Sequence, residues 1–211
     1  MKSHRNNKKT RKHKNKKEGG FFSKKVHPII IFKPKDNDDL KDKVKDWVNG
    51  NKEGLGHISN WDTSDITDMS ELFNNYEKFN NYDKFNDDIS NWNTSKVTNM
   101  HRMFAQANSF NQPIGKWNVS EVTNMSGMFF NANSFNQPLN NWDVSKVTDM
   151  NHMFAQANSF NGLLNDWNVS KVTNMVSMFA EAGKFNKPLN RWNVSNVTDM
   201  STMFAGASKF N

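Results

Sequence analysis

The chain has 211 residues, no cysteine, 28 Lys/Arg against 21 Asp/Glu and a formal net charge of +7. Without cysteine it can form neither a disulfide nor a thiolate metal site, so it is not a disulfide-stapled secreted module. The charge is split: residues 1–35 carry 13 Lys/Arg against the single acid Glu18, a net +12, and the other 15 Lys/Arg face 20 acids, a net −5.

The first predicted element is a basic arm over residues 1–35, dense in cations in the stretch KSHRNNKKTRKHKNKK. A run of like charge is expected to be disordered and solvated. Lys8, Lys9, Arg11, Lys12, Lys14, Lys16 and Lys17 make it an electrostatic arm for an anionic polymer or surface, such as nucleic acid or membrane, for an acidic protein, or a nuclear address. No base-reading motif is present, so nucleic-acid binding would run through phosphates and be steeply salt-dependent. The apolar stretch VHPIIIF at 26–32 is too short to span a membrane and lacks the core and cleavage site of a standard secretory signal.

Residues 36–57 are predicted to be a capping helix and linker. In DNDDLKDKVKDWV, Leu40, Val44, Trp47 and Val48 fall on one helical face, with acids at the start and Gly50 just past the end. The helix is expected to cover the open face of the coil that follows.

From residue 58 to the end the chain repeats. Trp92, Trp117, Trp142, Trp167 and Trp192 recur every 25 residues, each opening a near-copy of WNVSKVTNM, and a sixth copy starts at Trp61. The first spacing of 31 is accounted for by the six-residue duplication NNYEKF, 74–79, and NNYDKF, 80–85. Periodicity of this length predicts stacked coils that contact only their neighbours.

Within one coil, β-branched Val119, Val122 and Thr123 predict a short strand, the rung of a parallel ladder. Met100, Met103, Phe104 and Ala107, at i, i+3, i+4 and i+7, predict a two-turn helix. Asn99 and its equivalents Asp68, Asn124, Asp149, Asn174 and Asp199 would be its N-caps, and Asn108, Asn133, Asn158, Gly183 and Ser208 its left-handed ends. The fold class expected is an α/β repeat solenoid, with a parallel strand and a helix per coil and the strands on the concave side. Tryptophan, methionine and the column Phe110, Phe135, Phe160 and Phe185 should be core, and Asn86, Asn111, Asn136, Asn161, Asn186 and Asn211 should form a ladder serving turn backbone groups.

The stretch FNQPLNNWDVSKVTDMNHMF, with GHISNWDTSDITDM before it, resembles the BspA-like repeat of bacterial surface proteins and mycoplasma lipoproteins, found also in protists and large DNA viruses. The resemblance covers roughly residues 36–211. It implies a leucine-rich-repeat-like solenoid of right-handed coils and, for bacterial members, adhesion to host proteins or cell surfaces. Neither a standard secretory signal nor a lipid-anchor cysteine is found, so an intracellular or virion-associated setting, in host cytoplasm or nucleus, is expected over secretion.

The six histidines have no metal-ligand spacing, no nucleophile motif appears, and no catalytic residue, metal or cofactor is expected. The sequons at Asn93, Asn118, Asn168 and Asn193 follow from a coil that needs Asn after Trp and Ser two places on. The strand face would carry Thr123, Thr148 and Thr173 beside Lys96, Glu121, Lys146, Lys171 and Asn196, a polar column that varies in charge and is the expected face for a protein partner. The function expected is a non-enzymatic interaction or adhesion module, with a structural role in a virion or surface layer, or a nucleic-acid or nuclear-targeted adaptor, as alternatives. The open last coil, with Met203, Phe204, Ala207 and Phe210, predicts weak end-to-end dimers.

Overall fold

The computed structural model describes Met1, residues 31–75 and residues 81–211. The arm cations Lys8 to Lys17 lie outside the described residues, as does most of the first NNYEKF copy.

The one α-helix among these residues is α1, Asn37–Val48. Asp36 caps it by accepting from Asp39 N–H at 2.8 Å, and Leu40, Val44 and Trp47 form its buried face. Its first residue reaches across to the stack: Asn37 Oδ1 accepts from the backbone N–H groups of Thr67 and Asp68, at 3.1 and 3.3 Å. Trp47 packs edge-on against Trp61, centroids 5.9 Å apart, and its indole N–H donates to Asp87 at 2.6 Å. Upstream, Phe32 adds a second edge-on contact to Trp61 at 4.9 Å.

The coils beyond α1 do stack, but not as strand and helix. The α/β repeat solenoid with a strand and a helix in each coil is therefore corrected. In place of strands there are isolated parallel bridges, one per junction, linking Asp68, Asn99, Asn124, Asp149, Asn174 and Asp199 in succession. The expected strand 119–123 is a turn: Val122 N–H bonds to Val119 C=O at 2.9 Å, and both valines are buried. Two inward residues three apart cannot belong to one strand, whose side chains alternate between faces.

The expected helix from Met100 to Ala107 is a run of overlapping turns. Met103, Ala105 and Ala107 donate to the carbonyls of Met100, Arg102 and Phe104 in the same coil. Met100, Arg102, Phe104 and Gln106 instead donate to Asn124, Ser126, Met128 and Phe130 of the next coil, at 2.7–2.9 Å. Alternate donors therefore point along the stack, which a helix would forbid by turning every N–H back on its own chain. Left-handed residues make this possible: Arg102 has φ 50 and Gln106 φ 60, and the equivalent pairs are Gly127 and Asn131, His152 and Gln156, Ser177 and Glu181, and Thr202 and Gly206. Each non-glycine residue in that region costs about 1–2 kcal/mol, which the inter-coil bonds offset. Asn108, Asn133, Asn158, Gly183 and Ser208, expected to be left-handed, are not. With neither strand nor helix in the coil, the concave side expected for the strands loses its premise.

The inward columns are as the residue types require. Met100, Met103, Met125, Met128, Met150 and Met153 are fully buried, with Phe104, Phe110, Phe129 and Phe135. The phenylalanines form two parallel files, with Phe104 and Phe110 4.0 Å apart in one coil and Phe110 and Phe135 6.0 Å apart between coils. The duplication does not break the file, because Phe85 lies 6.0 Å from Phe110. From Trp92 on, each tryptophan also donates its indole N–H to a backbone carbonyl one coil back: Trp92 to Ile58, Trp117 to Ile89, Trp142 to Ile114, Trp167 to Leu139 and Trp192 to Leu164, at 2.8–3.2 Å. The indole combines a large apolar ring with an N–H donor at its edge, which suits tryptophan to this place in the repeat.

Asparagine supplies the polar half of the stacking. The expected ladder is present: the N–H groups of Asn111, Asn136, Asn161 and Asn186 donate to the Oδ1 atoms of Asn86, Asn111, Asn136 and Asn161, at 2.9–3.0 Å. In the four sequons that follow a tryptophan the Asn side chain accepts from the Ser N–H two residues on, as Asn93 does from Ser95 at 3.0 Å, Asn118 from Ser120 at 3.1 Å, Asn168 from Ser170 at 3.2 Å and Asn193 from Ser195 at 3.1 Å. Asn99, Asp149 and their equivalents close the same two-residue turn, Asn99 with His101 and Asp149 with Asn151, rather than capping a helix.

Phe135→Ala should lower unfolding stability by about 3–5 kcal/mol in denaturant melts, since the ring is fully buried between two neighbours of its own kind. Thr202, a β-branched residue at φ 56, tests the left-handed positions. Thr202→Gly should raise stability by about 1 kcal/mol, whereas Gly127→Val should lower it, and equal melts for the two variants would contradict the turn geometry.

Candidate interaction surface

The column proposed from sequence as the partner face is exposed, but its members are largely bonded to one another. Thr123, Thr148 and Thr173 each use both backbone N–H and hydroxyl to reach the carbonyl of the threonine one coil back, at 2.9 Å or less for N–H and 3.2 Å for Oγ1. Lys96 pairs with Asp65 at 2.8 Å, Lys146 with Glu121 at 2.6 Å, and Asn196 donates to Ser170 C=O at 2.7 Å. Lys171 alone of the column's charges has no ion pair among the described residues.

At the amino-terminal end the column becomes a small network. Asp65 lies between Lys33 and Lys96, with Asp62 3.5 Å from Lys33. Hydrogen bonds from Lys33 and then Lys96, reinforced by their charges, hold the Asp65 carboxyl down at about 2, against an ordinary 3.8. The network ties Lys33, just before α1, to the first two coils.

A second outward surface lies on the turn run, where the sequence reading had placed the outside of a helix. Here Arg102 and His152 are exposed, Phe130 is half-buried, and with His101, Ala105 and Gly127 they line a cleft of about 300 Å³ across three coils. Phe130 meets His152 edge-on at 6.4 Å, and His101 Nδ1 is 2.6 Å from Ser126 Oγ. Sequence reasoning missed this cluster although a signal was present. At the position of Phe130 four other coils hold Ala105, Ala155, Ala180 and Ala205 and the first holds Asn74, and at that of Gly127 they hold Glu71, Arg102, His152, Ser177 and Thr202.

No group of three or more His, Asp or Glu among the described residues is placed to hold a metal ion, and no helix there is long and apolar enough to cross a membrane. In the last coil the core columns open: Trp192, Val194, Val197, Phe204 and Phe210 are only partly buried and Met200 is exposed.

The family model for a Mycoplasma protein of unknown function, DUF285, matches residues 42–160 and 137–211. The chain belongs to the DUF285 family. No curated protein and no solved structure matches it. The matched segments take in most of α1 and all the coils, so the repeat described above is the DUF285 repeat.

For this DUF285 chain, the Asp65 network sets an acid-side dependence. A carboxyl held below its unfolded value contributes stability that is complete above the unfolded pKa and lost as pH falls through the folded one. For Asp65 that window runs from 3.8 down to about 2. Asp65→Asn should therefore melt below the wild type at neutral pH, with the gap closing across that window; a gap independent of pH would show that the lysines do not hold the carboxylate.

Proposed function

We propose that the chain is a non-enzymatic protein-interaction module of the BspA-like adhesive kind, binding its partner through outward columns of the stack, with the basic arm as an electrostatic tether. One observation supports the reading: the inward positions repeat almost unchanged while the outward ones vary from coil to coil. Asp65, Lys96, Glu121, Lys146, Lys171 and Asn196 occupy one such column, and Glu71, Arg102, Gly127, His152, Ser177 and Thr202 another. Core packing does not dictate these side chains: several pair with a neighbouring coil, whereas Lys171 and Arg102 make no ion pair among the described residues and are free to match a partner. Stacking also holds them on a rigid frame, which keeps the ordering cost of binding low.

The test is quantitative capture of a protein from cells that express the chain, using the full-length protein throughout. Lys146→Glu with Lys171→Glu should leave the melting temperature nearly unchanged, because exposed charges contribute little to stability, yet weaken capture. Replacing Lys8, Lys9, Arg11 and Lys12 with Gln should weaken it further and flatten its dependence on salt. Capture unchanged in both folded variants would overturn the assignment of the column and of the arm.

A further inference from the structure

The cleft at Arg102 is built from residues that the fold itself does not ask for. Arg102 lies across the following coil, where Gly127, at φ +61, leaves room for its stem: a Cβ there would sit 3.0 Å from Arg102 Cγ. A side chain there would make the arginine stem give by a few tenths of an ångström, so glycine at this place lets it lie close. The guanidinium so placed makes no ion pair or hydrogen bond among the described residues, and no residue lining the cleft is acidic. Glu71, in the same column one coil earlier, makes no ion pair with it, and Glu181 on the far side is occupied by Gln156 Nε2 at 2.9 Å. His152 adds a second polar ring on the opposite wall, where it meets Phe130.

Phe130 is the independent observation. Four other coils close this position with alanine, so the stack does not need a phenyl ring here, and the ring is left half-exposed beside an unpaired cation. An arginine with no counter-ion among the described residues, a histidine and an apolar wall within one cleft are complementary to a carboxylate side chain carried next to an apolar one.

Building on the interaction-module reading, we propose that this cleft is the recognition site for an acidic segment of the protein partner: a glutamate or aspartate whose carboxylate sits on Arg102 and His152, with an adjacent apolar side chain against Phe130 and Ala105. The variable columns then have a division of labour. In one column the charges from Asp65 to Lys171 present a polar face to the partner, and in the other Arg102 reads its acid.

The experiment selects peptides from a random displayed library on the immobilised full-length chain, then measures affinities by fluorescence anisotropy. Arg102→Ser and Phe130→Ala are the variants, chosen because Ser177 and Ala155 occupy the equivalent places in other coils; unchanged melts confirm that they fold. The peptides should be enriched in Asp or Glu beside an apolar residue. Arg102→Ser should weaken the strongest of them about tenfold, the loss expected for one charge-assisted contact. Replacing the peptide's acid by its amide should give the same loss, and Phe130→Ala a smaller one. Peptides without acids, or binding both variants as tightly as the wild type, would overturn the proposal. If such peptides are lost only with Lys146→Glu and Lys171→Glu, the cleft is excluded and the interaction module stands.

Discussion

Everything in this molecule depends on how the backbone between each inward methionine and the alanine seven residues on spends its hydrogen bonds. A buried N–H without a partner is costly, so every donor in the segment must be placed. Here half of them close short turns within the coil and half cross to the next coil, an arrangement that needs left-handed residues at two fixed places. The coil therefore cannot satisfy itself alone. Its neighbour is as much a part of its secondary structure as its own chain, and α1 serves the same end for the first coil through Asn37.

Once the coils are fixed at this spacing, identical side chains meet. Phenylalanine rings lie nearly parallel down each file, indoles reach back to the carbonyl one coil before, and asparagine amides accept from the backbone of the coil after. Each contact is modest alone, but register is enforced because a slip would break the aromatic, indole and amide columns together. The six-residue insertion is tolerated for the same reason: the extra chain is taken up before Phe85, where a short turn at Asn81–Lys84 buries Tyr82, and the columns resume. Burial pushes the Tyr82 hydroxyl up to about 12, so the ring stays neutral inside the junction.

The outer surface inherits two kinds of position. Some are drawn into cohesion, as where Lys96 and Lys146 reach acids one coil back and threonine hydroxyls follow the backbone ladder. Others are left over. Arg102 and Phe130 belong to the second kind, and the repeat itself identifies them, because the fold's requirements can be read from the coils that lack them.

The sequence by itself determined the period, the residues that face inward, the insertion, the amphipathic helix before the repeat and the asparagine ladder. Each follows from side-chain chemistry that has one physical solution at that spacing. It did not determine the backbone between those residues. Met100, Met103, Phe104 and Ala107 face inward on a helix and equally on overlapping turns, and the choice lay with donors that only a neighbouring coil could satisfy. Val119 and Val122, three apart and both buried, held the hint against a strand, yet β-branched residues carry strand propensity wherever packing does not override it. The cleft was hidden for the same reason: Arg102, Gly127 and Phe130 come from two coils, and their proximity exists only once the coils are stacked in this register.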